Sequence, residues 1–155
     1  LVRLDEKLKS QLLIRFVGKI PTTVEQRFRD TGLDIELAGY VDHHKSIEYL
    51  LRSDMLLLVI PKVDNNKGIL TGKFFEYMAA QKPILAIGPV DGDLARIILD
   101  TNCGRIFDYN DPEGMIRFVQ NVFDPEITLV KPESTGRYSR RELTYRIAGL
   151  FDAKT

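Results

Sequence analysis

Cysteine is nearly absent from this 155-residue chain: Cys103 stands alone, so no disulfide can form within it, and a reducing, cytoplasmic setting is expected. Net charge is absent too, with 22 Lys and Arg against 22 Asp and Glu. That excludes nucleic-acid binding driven by bulk charge and leaves only local basic patches for anionic surfaces. No long apolar run exists. The longest, Met55 to Ile60, falls far short of the ~20 residues that span a bilayer. No segment has the order of a signal peptide. The two histidines, His43 and His44, are adjacent and would point about 100° apart on a helix. With no nearby Cys or His to complete a ligand set, no metal site is expected. Neither Gly-x-Ser-x-Gly nor a Walker Gly-Lys-Ser/Thr occurs.

What remains is ordinary globular composition, 44% apolar and 28% charged. The length suits one domain, 1–155, and falls short of two Rossmann-type lobes. Apolar residues at 1, 4 and 8 begin a helical pattern with no start signal, so the chain is expected to be a piece of a longer protein. Short apolar runs at Leu12–Val17, Ile35–Ala38, Met55–Ile60, Ile84–Ile87 and Arg105–Phe107 read as strands. Helical patterns fall at 2–10, 22–31, 43–52, 72–81, 92–101 and 112–123. This alternation predicts an α/β fold with a parallel sheet, Rossmann-like and three-layered. The continuous runs Met55–Ile60 and Ile84–Ile87 predict strands covered on both faces. After the breaks at Asp124-Pro125 and Lys131-Pro132, Ser139 to Phe151 reads as an amphipathic helix. Its apolar side is Leu143, Ile147, Leu150 and Phe151, free to pack on this domain or to reach beyond it.

Ligands of open parallel sheets bind outside the carboxyl ends of the strands. The candidate loops are therefore Gly18–Pro21, Gly39–Asp42, Pro61–Thr71, Gly88–Gly92 and Asp108–Asp111. The third leads into Gly72-Lys-Phe-Phe-Glu-Tyr-Met-Ala-Ala-Gln81. Lys73 falls in the first turn of that helix, where a cation opposes the helix dipole by roughly 0.3–1 kcal/mol unless an anion is bound there. Glu76 sits one turn further, among apolar neighbours, and needs donors. A ribose diol would supply two. The residues alone leave both alternatives open: Lys73 solvated, and Glu76 paired with a base such as Lys82. Asp91 and Asp93 could cap the following helix or meet sugar hydroxyls. Cys103 reads as a buried structural thiol. Arg137, Arg140, Arg141 and Arg146, interleaved with Glu133, Glu142 and Asp152, read as a solvated face or as a contact to anionic lipid.

Gly72-Lys-Phe-Phe-Glu-Tyr-Met-Ala-Ala-Gln-Lys-Pro-Ile-Leu-Ala86 resembles the donor-site helix and following strand of retaining GT-B glycosyltransferases of the group 1, family 4-like type. Ile14–Gly18, Ile35–Val41, Ser53–Leu57, Gly88–Asp93 and Tyr138–Thr144 resemble further segments of that family in the same order. The resemblance implies the C-terminal, nucleotide-sugar-binding lobe of a two-lobe enzyme. The lobe's first strand and the N-terminal acceptor lobe would precede Leu1, and about 133–155 would form a crossing helix. It implies that Glu76 holds the ribose and that Lys73 is the catalytic cation beside the diphosphate. The backbone of Leu70, Thr71 and Gly72 would line the phosphates, and Tyr40 and Val41 would flank the base with Gly18 nearby. The implied substrates are a nucleotide diphosphate sugar and a saccharide or lipid-linked acceptor. No metal or other cofactor is implied, and the location is the cytoplasm or the inner membrane face. Two positions depart from the family pattern. Gly68 stands where a glutamate often touches the transferred sugar, and Gln81 replaces a glycine. If residue 81 is left-handed, Gln costs about 1 kcal/mol there. The alternatives are a sugar-nucleotide epimerase sharing such lobes, which should show cleft carboxylates and a histidine, and a non-catalytic α/β interaction domain.

Overall fold

The computed structural model describes residues 6–127 and 135–152. Leu1, Leu4, the Lys131-Pro132 break and Glu133 lie outside them. The backbone gathers into two compact units, Leu1–Ser53 and Asp54–Thr155.

The first unit contains helix α1 (Glu6–Lys9), strand β1 (Leu13–Val17), helix α2 (Thr22–Arg29), strand β2 (Asp34–Gly39) and helix α3 (His43–Arg52). β1 and β2 pair in parallel, Leu13 against Asp34 through Phe16 against Leu37, and the register shifts so that Val17 meets Gly39. Phe16 packs on Phe28 of α2, with ring centroids 4.7 Å apart. Arg15 and Glu36, opposite each other across the strands, form an ion pair at 2.6 Å, and the guanidinium also lies 5.2 Å from the Tyr49 ring. Asp42 caps α3 by accepting from the Lys45 amide at 2.9 Å. His43 and His44 are exposed, their rings 6.5 Å apart.

The second unit runs through β3 (Leu56–Val59), α4 (Gly72–Ala80), β4 (Ile84–Ile87), α5 (Asp93–Thr101), β5 (Gly104–Phe107), α6 (Pro112–Phe123) and α7 (Arg140–Asp152). Its sheet is parallel, in the order β3-β4-β5. The parallel α/β class is as expected, with the strands divided over two sheets. The core joins Leu58 and Ile60 of the β3 segment to Phe74 and Met78 of α4, Ile84 and Ala86 of β4, and Leu94, Ile97 and Ile98 of α5. Ile84, Leu85 and Ala86 are buried on both faces, as their continuous run predicts. β3 departs from that expectation. Leu56, Leu58 and Ile60 are buried, but Leu57 and Val59 are 45% and 53% exposed. β3 is an edge strand of its sheet, and these two side chains point to its less covered face. On α7, Leu143, Ile147 and Phe151 are exposed, so this side of the helix is not packed on the described residues.

Gln81 adopts the left-handed conformation (φ 54°, ψ 33°) as the C-cap of α4, so the conditional expectation for that residue applies. Gln81→Gly is expected to stabilise the chain by roughly 0.5–1 kcal/mol, readable as a rise in the urea midpoint at unchanged m-value.

Cys103 is buried in the core, as expected, and burial pushes its thiol pKa up. The Tyr77 phenol is pushed up as well, first by burial and then by the charge of Glu76. A pKa raised by folding contributes stability that is complete below the unfolded value and is lost as pH rises through the folded one. The second unit is therefore expected to weaken from about pH 8.5, where a free thiol ionises, to beyond about pH 10, where a free phenol does. Urea midpoints measured across that range should fall; a flat profile would contradict the assignment.

Candidate functional site

The loop after β3 begins at Ile60, and its path is set by long-range bonds. The Tyr109 hydroxyl, from the loop after β5, donates to the Ile60 carbonyl at 2.8 Å and lies 3.2 Å from that of Pro61. Asn66 donates through Nδ2 to the Pro61 carbonyl and to the Tyr109 hydroxyl, both at 3.0 Å. The loop then makes one 3-10 turn, Asn66–Gly68, and reaches α4 through Thr71.

Thr71 holds the N-cap position in extended conformation (φ −97°, ψ 149°), yet its side chain makes no capping bond. Its hydroxyl oxygen is buried and has no partner among the described residues. Hydroxyls at this position ordinarily accept from an amide of the first turn, so a buried orphan here is unusual. The Gly72 and Lys73 amides likewise have no hydrogen-bond partner among the described residues. Lys73 is exposed and forms no ion pair among them. Glu76 is half-buried, and neither Lys82 nor any other described residue pairs with it. Of the two alternatives left open by the sequence, the Glu76–Lys82 pair is not formed, and Lys73 is solvent-exposed. Leu70, Thr71, Gly72, Lys73 and Glu76 thus collect at one helix N-terminus with unsatisfied donors, one cation and one unpaired carboxylate. That arrangement can hold an anion and, a turn away, a diol.

In the first unit, Gly18 and the Tyr40–Val41 segment come together. Gly18 (φ 121°) donates its amide to the Gly39 carbonyl at 2.7 Å, and Gly39 (φ 67°) turns the chain into Tyr40. Tyr40 is 82% exposed, an uncovered ring at the carboxyl end of β2.

Asp91 and Asp93 do not supply the N-cap of α5. Gly92 holds that position without a side-chain bond. Asp91 instead pairs with Lys67 at 2.5 Å, and Asp93 pairs with Arg96. The Lys67 hydrogen bond, more than its charge, keeps the Asp91 carboxyl below the ordinary carboxylate range. An Asp93 oxygen lies 3.8 Å from where a Cβ on Gly68 would stand, so a carboxylate does approach the position where the resembling family carries glutamate. Of the basic cluster, Arg137 reaches Asp100 at 3.3 Å and Arg146 reaches Glu142 at 3.4 Å.

Asn66, Lys67 and Tyr109 were not singled out in the sequence as site residues. Their loops were legible, but contacts across 24 to 49 residues leave no local signal.

Parallel strands joined by helices, with polar loops and an uncapped helix N-terminus at the carboxyl ends, define a Rossmann-like α/β lobe. The chain is similar to the crystal structure of WaaG, a glycosyltransferase involved in lipopolysaccharide biosynthesis, with TM-score 0.60 and 22% identity over 78% of this chain. Its fold is that of a GT-B glycosyltransferase lobe of the C-terminal kind, and the match spans 31% of the WaaG chain. No protein-family model and no curated protein sequence matches it. No described helix is long and apolar enough to cross a membrane.

Proposed function

We propose that this chain binds a nucleotide diphosphate sugar. In a longer protein containing an N-terminal acceptor lobe, it would serve the retaining transfer of a hexosyl-type sugar to a saccharide or lipid-linked acceptor in surface polysaccharide assembly. The observation that carries the reading is the α4 N-terminus, where, among the described residues, the buried Thr71 hydroxyl, the Gly72 and Lys73 amides and the half-buried Glu76 carboxylate have no partner. The diphosphate would lie against the amides of the first turn and the Lys73 ammonium. The Glu76 carboxylate would accept from both ribose hydroxyls. Tyr40 and Val41 in the first unit are the candidates to flank the base, with Gly18 beside them.

In transfer, the bond between the anomeric carbon and the leaving phosphate oxygen breaks, and negative charge builds on that oxygen. Lys73 and the helix N-terminus would stabilise this charge more strongly in the transition state than in the bound donor. No metal or organic cofactor enters this scheme. The reading places the longer protein in the cytoplasm, with peripheral contact to the inner membrane face through its acceptor. The lobe alone is expected to bind the donor and transfer nothing.

The test is a thermal-shift panel of UDP, GDP, ADP and CMP with their sugars. A ligand at about 100 times its Kd adds roughly 2.7 kcal/mol, a shift of several degrees. No shift with any nucleotide, on this chain and on the full-length protein, would refute the reading.

A further inference from the structure

The loop that delivers the chain from β3 to α4 has little apolar packing to hold its shape. Residues 61–65, 67, 68 and 70 are exposed, while Ile69 packs against the core. Segments with few buried apolar contacts open locally at low free energy. The conformation between Ile60 and Thr71 therefore depends on polar bonds, and these converge on one oxygen. Ile60 ends the sheet ladder, its amide bonded to the Ile87 carbonyl at 2.8 Å. The Tyr109 hydroxyl donates to the Ile60 carbonyl and accepts from Asn66 Nδ2, so it ties the start of the loop to its turn. The same Asn66 nitrogen also reaches the Pro61 carbonyl.

The turn passes this restraint on toward α4. Asn65, left-handed at φ 59°, leads the chain into Asn66–Gly68, and the Ile69 amide closes the turn on the Asn66 carbonyl at 3.2 Å. Leu70 and Thr71 follow, and the Phe74 amide bonds the Thr71 carbonyl at 3.1 Å. A second restraint, the Lys67–Asp91 pair, is largely exposed on both sides, and such pairs contribute little. The Tyr109–Ile60 and Asn66–Tyr109 bonds are partly buried and better sheltered from water.

We propose that Tyr109 is a positioning residue for ligand binding at the α4 N-terminus: by stapling Ile60 to Asn66 it holds the loop that presents Thr71 and the Gly72 and Lys73 amides. The proposal rests on the nucleotide reading for the ligand and on the hydrogen bonds alone for the staple. The hydroxyl proton is spent on the Ile60 carbonyl, so Tyr109 acts through the loop and not by touching the diphosphate. A loop ordered beforehand spares binding the entropy of ordering it.

The experiment compares wild type with Tyr109→Phe, which keeps the ring, with Asn66→Ala, and with the double variant. Thermal melts establish which variants fold; Asn66→Ala reads the staple by itself if Tyr109→Phe does not. NMR hydrogen exchange on the unliganded proteins is followed by calorimetry with UDP, GDP, ADP and inorganic pyrophosphate. In Tyr109→Phe the Ile69 and Phe74 amides should exchange about tenfold faster, with the Leu56 and Ile84 amides of the sheet unchanged. The Kd of the diphosphate that binds should rise about tenfold, the worth of one hydrogen bond, through a less favourable binding entropy. The double variant should bind no more weakly than the worse single one, because both cut the same staple. Unchanged exchange at Ile69 and Phe74 would overturn the proposal. Weaker binding with unchanged exchange would make Tyr109 a direct ligand contact, and faster exchange throughout the sheet would make it a general stabiliser; both also overturn it, as would additive losses in the double variant. Failure of all four probes to bind the wild type would refute the nucleotide reading. Faster loop exchange would then keep the staple, and unchanged exchange would overturn that too.

Discussion

Glu76→Ala is expected to abolish the thermal stabilisation that the matching nucleotide diphosphate confers. Glu76 is half-buried and has no partner among the described residues. Two ribose hydroxyls would therefore find both carboxylate oxygens free to accept. Hydrogen bonds to a charged group are worth roughly 1.5–3 kcal/mol each, so losing the pair should weaken binding by about 100-fold or more. Ligand supplied at about 100 times the wild-type Kd would then add only about 0.4 kcal/mol in place of about 2.7. The measured shift should fall from several degrees to below one. Lys73→Ala should weaken binding less, because an exposed ammonium acts as a screened point charge. Lys82→Ala should leave the shift intact, since Lys82 does not pair with Glu76. The unliganded Glu76→Ala protein should remain folded, and its Tyr77 phenol should titrate at lower pH once the neighbouring charge is gone. A full ligand-induced shift in Glu76→Ala would remove this residue from the site.

Gly104→Ala is expected to be the most damaging single-methyl change in the second unit. Gly104 pairs with Ile84 across β4 and β5. A Cβ at residue 104 would stand 2.0 Å from the Ile84 carbonyl oxygen and 2.7 Å from its carbon. These are backbone atoms of a strand buried on both faces, so no side-chain rotation can relieve the overlap. The two strands would have to separate, breaking the bond from the Ile84 amide to the Cys103 carbonyl and loosening the core around Cys103 and Ile98. A loss on the order of 4 kcal/mol follows, lowering Tm by roughly 15 °C or more if the protein still folds. Gly149→Ala is the contrasting control. That glycine lies in α7 with open space around it, and alanine there should stabilise by about 0.5–1 kcal/mol through helix propensity. Thermal melts of the two variants should move in opposite directions; equal melts would refute the packing argument.

Much of the element order was readable directly. Met55–Ile60 and Ile84–Ile87 are short apolar runs bounded by polar breaks, and both contain strands close to the expected limits. Asp42 and Asp111 each sit before a helical pattern and cap it through their side chains. Caps and apolar periodicity act within a few residues, which is why a single sequence reveals them. Gly72-Lys-Phe-Phe-Glu76 was legible as a helix start for the same reason. Whether Glu76 pairs with Lys82 was not, because that depends on how the chain beyond Ala80 turns.

The sequence by itself determined the parallel α/β class, the positions of the helices and strands, and the loops able to carry a site. Those follow from local pattern and from the need to bury apolar runs. Only the tertiary structure decided that β3 is an edge strand with Leu57 and Val59 about half exposed, and that Thr71 leaves its hydroxyl buried without a partner among the described residues. It alone turned Asp91 toward Lys67 and brought Tyr109 onto the Ile60 carbonyl, 49 residues away in the chain. Such contacts are fixed by sheet order and close packing, which bring together residues that share no local pattern.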